Sequence, residues 1–82
     1  MEKQIVYKTK KEFKAYFYPD CPVEQGVIKI GTTLSFMEEE FSSVMFNVLD
    51  GEFKDHYFSI PKKQHNDCSY SDEPVWELIQ RF

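Results

Sequence analysis

Hydrophobic residues in this chain recur mostly at every second position. Val44, Phe46 and Val48 alternate with Met45, Asn47 and Leu49, and His56, Phe58 and Ile60 keep the same spacing. That is the period of a strand with one buried face. Leu34 and Phe36 alternate with Thr33, Ser35 and Met37, and Phe13, Ala15 and Phe17 with Lys14, Tyr16 and Tyr18. The pattern predicts strands over about 4–18, 27–37, 43–49 and 55–60. One segment carries two readings. Thr9-Lys10-Lys11-Glu12 has the form of a capping box, after which Phe13, Tyr16 and Phe17 share one face of a short helix. Aromatic crowding favours the strand, and the choice between strand and helix over 9–18 stays open.

Breakers divide these runs. Pro19-Asp20-Cys21-Pro22 marks an irregular loop. Asp50-Gly51 is a turn signal, but a strict two-residue turn sets Asp55 opposite Phe46. A bulge or wider loop around Phe53 to Asp55 is therefore expected. Pro61 ends the next strand, and a polar stretch over 62–73 follows. In the closing PVWELIQRF, the period changes. Val75, Leu78, Ile79 and Phe82 form an amphipathic stripe that predicts a helix over about 74–81. Pro74 suits its first turn, with Ser71, Asp72 and Glu73 as cap candidates. A helix this short needs a surface to dock on. Trp76 lies on the flank of the stripe, and as the chain's largest core filler it is expected to pack inward.

Eighty-two residues with 17% aromatic side chains make one small domain whose core rests on a few large rings. A deep catalytic cleft does not fit such a chain. The net charge is −4, unevenly spread: residues 1–14 hold five lysines against two glutamates, and the rest is strongly acidic. An acidic body argues against general nucleic-acid binding. The chain shows no apolar leader and no long hydrophobic run, which predicts a cytoplasmic protein with no membrane partner. Cys21 and Cys68 are then expected as free thiols.

The order of these pieces resembles an SH3-like small barrel. The pieces that carry the resemblance are KEFKAYFYPD, IKIGTTLSFMEEE, SSVMFNVLDGE and HYFSIPKK, over roughly residues 11–63. In that family a long loop follows the first strand, a Gly-x-x-Leu-x-Phe segment opens the second, and Ile-Pro ends a later one. The resemblance implies a mainly β fold, a small antiparallel barrel or sheet with a short C-terminal helix. It does not extend to the family's peptide groove. The third strand begins Ser43-Val44-Met45 where a tryptophan is usual, and Pro61 is followed by Lys62, Lys63 and Gln64 where a tyrosine is usual. Length and acidity also resemble small proteins of phages and mobile elements, which implies a role in inhibiting or redirecting a larger protein.

Candidate chemistry is sparse. His65-x-x-Cys68, with Cys21 and His56 elsewhere, supplies one ligand pair where structural zinc sites use two, so neither metal nor other cofactor is expected. Nucleophile elbows, phosphate loops and HExxH are missing from the sequence, and no enzyme activity is expected. Two surfaces remain. Glu38, Glu39 and Glu40 precede Phe41, and Asp50, Glu52 and Asp55 follow on a neighbouring turn. Together they suggest an acidic patch with one apolar anchor, suited to a basic surface on a protein partner. The bland alternative is a pair of solvated turns. The other surface comprises Lys8, Lys10, Lys11 and Lys14 with Tyr16 and Tyr18, the composition of a single-strand nucleic-acid platform. Those lysines equally suit a solvated strand edge. Self-association through the helix flank or an open edge is a further candidate.

Overall fold

The computed structural model describes residues 5–81. Its elements are β1 (Val6–Thr9), β2 (Phe13–Tyr16), β3 (Gln25–Ile28), β4 (Thr33–Glu39), β5 (Ser43–Val48), β6 (Tyr57–Pro61), β7 (Lys63–Gln64), β8 (Tyr70–Ser71), α1 (Glu73–Leu78) and β9 (Ile79–Arg81). The protein is mainly β, with antiparallel sheets and one short helix near the C-terminus. Five strands form the main sheet in the order β6-β5-β4-β1-β9, and β2–β3 and β7–β8 are separate ribbons.

The period-2 pattern forms the core directly. Leu34, Val44, Phe46, Val48, Phe58 and Ile60 are buried, joined by Ala15 and Phe17 from β2 and its extension, Ile28 from β3, Val75 from α1 and Ile79. Phe46 is the centre: its ring meets those of Tyr7, Phe36, Phe58 and Trp76. Trp76 is half-buried against Tyr7, and its indole N–H donates to Asp72 at 2.8 Å. Asp72, a cap candidate in the sequence, thus serves the tryptophan and makes no side-chain cap bond.

Several predicted boundaries are corrected. The run predicted over 4–18 is, among its described residues, not helical, yet it is two strands with a break at Lys10 to Glu12, and Gln4 lies outside the described residues. Thr9 supplies the reason. Its buried hydroxyl donates to the Lys29 carbonyl at 2.7 Å and accepts from the Thr32 N–H at 3.0 Å, while the Lys10 N–H reaches the Leu78 carbonyl at 2.6 Å. These bonds fix the end of β1 and send the chain to another sheet. The predicted strand over 27–37 likewise divides, with Gly31 at φ +83 in the turn between β3 and β4. The helix ends at Leu78 because Ile79 turns extended, φ −134 and ψ 142, and β9 pairs with β1 as Thr9↔Ile79, Lys8↔Gln80 and Tyr7↔Arg81. An available strand edge outcompetes three more residues of a marginal helix. Phe82, the last member of the predicted stripe, lies outside the described residues.

The loop after β5 is wide, as the register argument requires. Phe46 pairs with Phe58, and the intervening turn holds Gly51 and Asp55 in the left-handed region at φ +81 and +71. Phe53 folds back from this loop onto Gly26, Phe17 and His56. A barrel does not close among the described residues. β2 meets β6 at one bridge, Phe17↔Phe58, and the two strands then part.

Candidate interaction surface

The β4–β5 hairpin places the acidic triplet. A bulge between Phe36 and Glu38 shifts the register, so that Glu38 pairs with Met45 and Glu39 with Val44. Glu39 is held by Lys62, whose ammonium lies 3.0 Å from its Oε2. Glu40 closes the turn: its N–H donates to the Ser43 carbonyl at 2.8 Å, and its Oε1 accepts from the Ser43 hydroxyl at 3.2 Å. Phe41 is 79% exposed at the tip, and its ring packs edge-on against Tyr70 at 4.9 Å. A phenylalanine that leaves most of its surface in water, held in one position by a second ring, is an uncommon use of a large apolar side chain.

Glu40 also accepts from the Tyr18 hydroxyl at 3.3 Å. Tyr18 stacks on Tyr57 with centroids 5.0 Å apart, and the Tyr57 hydroxyl donates to Asp20. This chain of contacts brings the hairpin tip, the loop after β2 and the start of β6 into one surface. It is rich in carboxylates and aromatic rings. The Asp20 carboxylate, through that hydrogen bond, pushes the Tyr57 phenol up to about 12. Two tyrosine faces bordered by Glu40 and Asp20 suit a cation, which carboxylates attract and ring faces stabilise.

The second half of the predicted acidic patch is elsewhere. Asp50, Glu52 and Asp55 lie in the loop between β5 and β6, whereas Glu38 to Phe41 lie at the opposite end of β5. Six residues of strand separate them, about 17–20 Å at strand rise. Antiparallel hairpins alternate ends, so two successive loops of a meander cannot share one. Asp50 has a structural task, accepting the Thr33 N–H at 3.0 Å, and Asp55 occupies a left-handed turn position. Those residues belong to turn chemistry.

The basic set also divides. Lys8 sits within the main sheet opposite Thr33 and Gln80. Lys10 and Lys11 are exposed in the connection to β2, and Lys14 and Tyr16 share the outer face of β2, the Lys14 ammonium 5.3 Å from the Tyr16 ring centre. Tyr18 faces away from them, onto Tyr57. His56 is enclosed by the rings of Phe17 and Phe53, while His65 and Cys68 share an exposed turn. Among the described residues no three His, Cys, Asp or Glu side chains converge as a metal set. No helix of the described residues is long and apolar enough to cross a membrane.

Sequence reasoning missed Tyr57, Asp20, Tyr70 and Lys62. Tyr57 and Asp20 carried a usable signal, an outward strand aromatic and a loop carboxylate near two other tyrosines in sequence. Tyr70 and Lys62 reach the hairpin only through tertiary packing. No protein-family model, curated protein or solved structure matches this chain.

Proposed function

We propose that this protein is a non-catalytic protein-interaction module that binds a basic surface on a protein partner through Glu38, Glu40, Phe41, Tyr18, Tyr57 and Asp20. The observation that carries the reading is the exposed Phe41 beside carboxylates that two tyrosine hydroxyls already orient. An apolar anchor inside a charged rim is the usual anatomy of a recognition patch, and the rim favours on-rate and selectivity for a basic partner. Inhibition or redirection of a larger protein in the cytoplasm is the role we attach to it. The SH3-like likeness belongs to the same proposal, supported by the succession of antiparallel hairpins, with the barrel left open between β2 and β6.

The test is affinity capture from lysate with three folded proteins: wild type, Glu38→Lys/Glu40→Lys, and Phe41→Ala. Glu39 is spared because it holds Lys62. A stoichiometric basic partner held by wild type and lost by both variants, at unchanged melting temperature, is the expected result. Equal capture by all three would sink the assignment. A nucleic-acid role has one supporting observation, the exposed Tyr16 ring under the Lys14 ammonium. It requires salt-sensitive binding of single-stranded oligonucleotides that Lys10→Ala/Lys14→Ala abolishes.

A further inference from the structure

The surface around Phe41 is specific enough in its geometry to select among cations. Tyr18 and Tyr57 sit side by side because their strands touch there, the Tyr18 N–H donating to the Tyr57 carbonyl at 3.2 Å. Neighbouring positions on adjacent strands put both rings on one face, stacked with centroids 5.0 Å apart and planes 24° from parallel. A stacked pair hides one face of each ring and leaves the outer faces to other partners. Both residues are half-buried, and no third ring joins the pair among the described residues.

Each ring ends on a carboxylate. The Tyr18 hydroxyl donates to Glu40 Oε1 at 3.3 Å, and the Tyr57 hydroxyl donates to Asp20 Oδ2. The Ser43 hydroxyl reaches the same Glu40 oxygen at 3.2 Å. A hydroxyl has one proton to give, so all three are committed. What these side chains still offer is acceptors: carboxylate oxygens and phenol lone pairs. Their charge is also unmatched. In the same acidic triplet, Glu39 is neutralised by the Lys62 ammonium at 3.0 Å, and the Lys62 side chain is only 9% exposed, which confines it to that task. Among the described residues, Glu40 and Asp20 meet hydroxyls and no cation.

We infer, on the reading proposed above, that the partner presents an arginine to this shelf. Its guanidinium lies flat on the Tyr18–Tyr57 pair and donates to the Glu40 carboxylate, with Asp20 adding negative charge and an apolar neighbour of the arginine resting on Phe41. Donor inventory and shape carry the choice. A guanidinium is planar, only donates, and stacks on an aromatic face while its N–H groups bond in their own plane. A carboxylate at the hydroxyl end of the ring stands where those N–H groups arrive, and Glu40 Oε2 takes no donor from the described residues. An ammonium is more strongly hydrated and acts as a point charge, so it gains less from the ring. A trimethylated lysine keeps the cation but has no donor, which leaves the carboxylate without a bond. Anions meet only acceptors and are repelled. Phe41 adjoins Glu40 in the chain and is steadied by Tyr70, so the apolar anchor and the cation shelf are contiguous.

The experiment titrates four capped dipeptides into the full chain: leucine followed by arginine, lysine, trimethyl-lysine or citrulline, the last keeping the planar shape without the charge. NMR follows the ring signals of Tyr18, Tyr57 and Phe41. The arginine peptide is expected to shift all three and to bind about threefold or more tighter than the lysine peptide. Trimethyl-lysine should bind more weakly than arginine, and citrulline should leave the rings unmoved. Glu40→Gln, nearly equal in size, is expected to weaken the arginine peptide about fivefold or more, and Tyr18→Leu to weaken it as well. Should Tyr18→Leu fold poorly, the wild-type ring shifts and Glu40→Gln decide. Equal binding of arginine and lysine at these rings would overturn the assignment to arginine and leave the basic-partner reading standing. Tightest binding by trimethyl-lysine, or arginine binding undiminished in Glu40→Gln, would likewise refute it, because the carboxylate would then not select the ligand. If no cationic peptide moves these rings, both the arginine assignment and the reading beneath it fall.

Discussion

Gly26 and Phe53 give the sharpest test of how the wide loop is anchored. A Cβ built on Gly26 lies 2.2 Å from Phe53 Cζ and 2.7 and 2.8 Å from its two Cε atoms. Real atoms do not approach that closely, so Gly26→Ala must displace the ring. The obstruction is the far end of a side chain, not backbone, which limits the cost to what the ring loses when it swings away. Phe53 packs on Phe17 at 5.0 Å and on His56 at 5.8 Å between centroids, and overpacking of this kind costs about 1–3 kcal/mol. Against it stands the smaller chain entropy of alanine, favourable by about 0.5–1 kcal/mol in a strand. The net expectation is destabilisation by about 1–2 kcal/mol. With Phe53→Ala in place the obstruction vanishes, and only the entropic gain remains. Gly26→Ala should then stabilise the protein by about 0.5–1 kcal/mol. Urea unfolding of the four proteins, followed by Trp76 fluorescence with slopes checked for equality, measures the cycle. If Gly26→Ala costs the same in both backgrounds, the ring does not lie on the glycine and the loop is held some other way.

Two further outcomes are expected. The Tyr57 phenol, pushed up to about 12 by the Asp20 carboxylate, binds its proton more tightly folded than unfolded; its contribution is therefore whole below about pH 10 and lost as pH rises through about 12, and spectrophotometric titration of Asp20→Asn should return the phenol toward the ordinary tyrosine range. Thr9→Val removes the bonds to the Lys29 carbonyl and from the Thr32 N–H, which should cost about 1–2 kcal/mol by urea unfolding, with Thr9→Ser recovering most of it.

Much of the core was legible because alternation records which face is buried. Val44, Phe46, Val48, Phe58 and Ile60 stand where the pattern puts them, and the clash between Asp55 and Phe46 disclosed the wide loop. What escaped depends on partners distant in sequence. Nothing local to Ile79 says that helix yields to strand; the edge of β1 decides it, more than 60 residues away. The break after Thr9 is set by Lys29, Thr32 and Leu78 in the same manner. At the candidate site, the acidic triplet and Phe41 were readable as an exposed hairpin tip. Their supposed partners Asp50, Glu52 and Asp55 were misplaced because composition carries no direction, whereas a meander assigns each loop to one end of the sheet.

The pairing of β1 with β9 has an architectural consequence. Tyr7 and Arg81 are register partners, so the chain enters and leaves the described structure on neighbouring strands about 5 Å apart. A unit built this way can be spliced into a surface loop of another protein without prying that loop open, since its two junctions span little more than one strand spacing. The same adjacency would let a short linker join the start of β1 to the end of β9, with new ends cut in the exposed turn of residues 65–69. In such a permutant the strand that now arrives last would be covalently next to the one it pairs with.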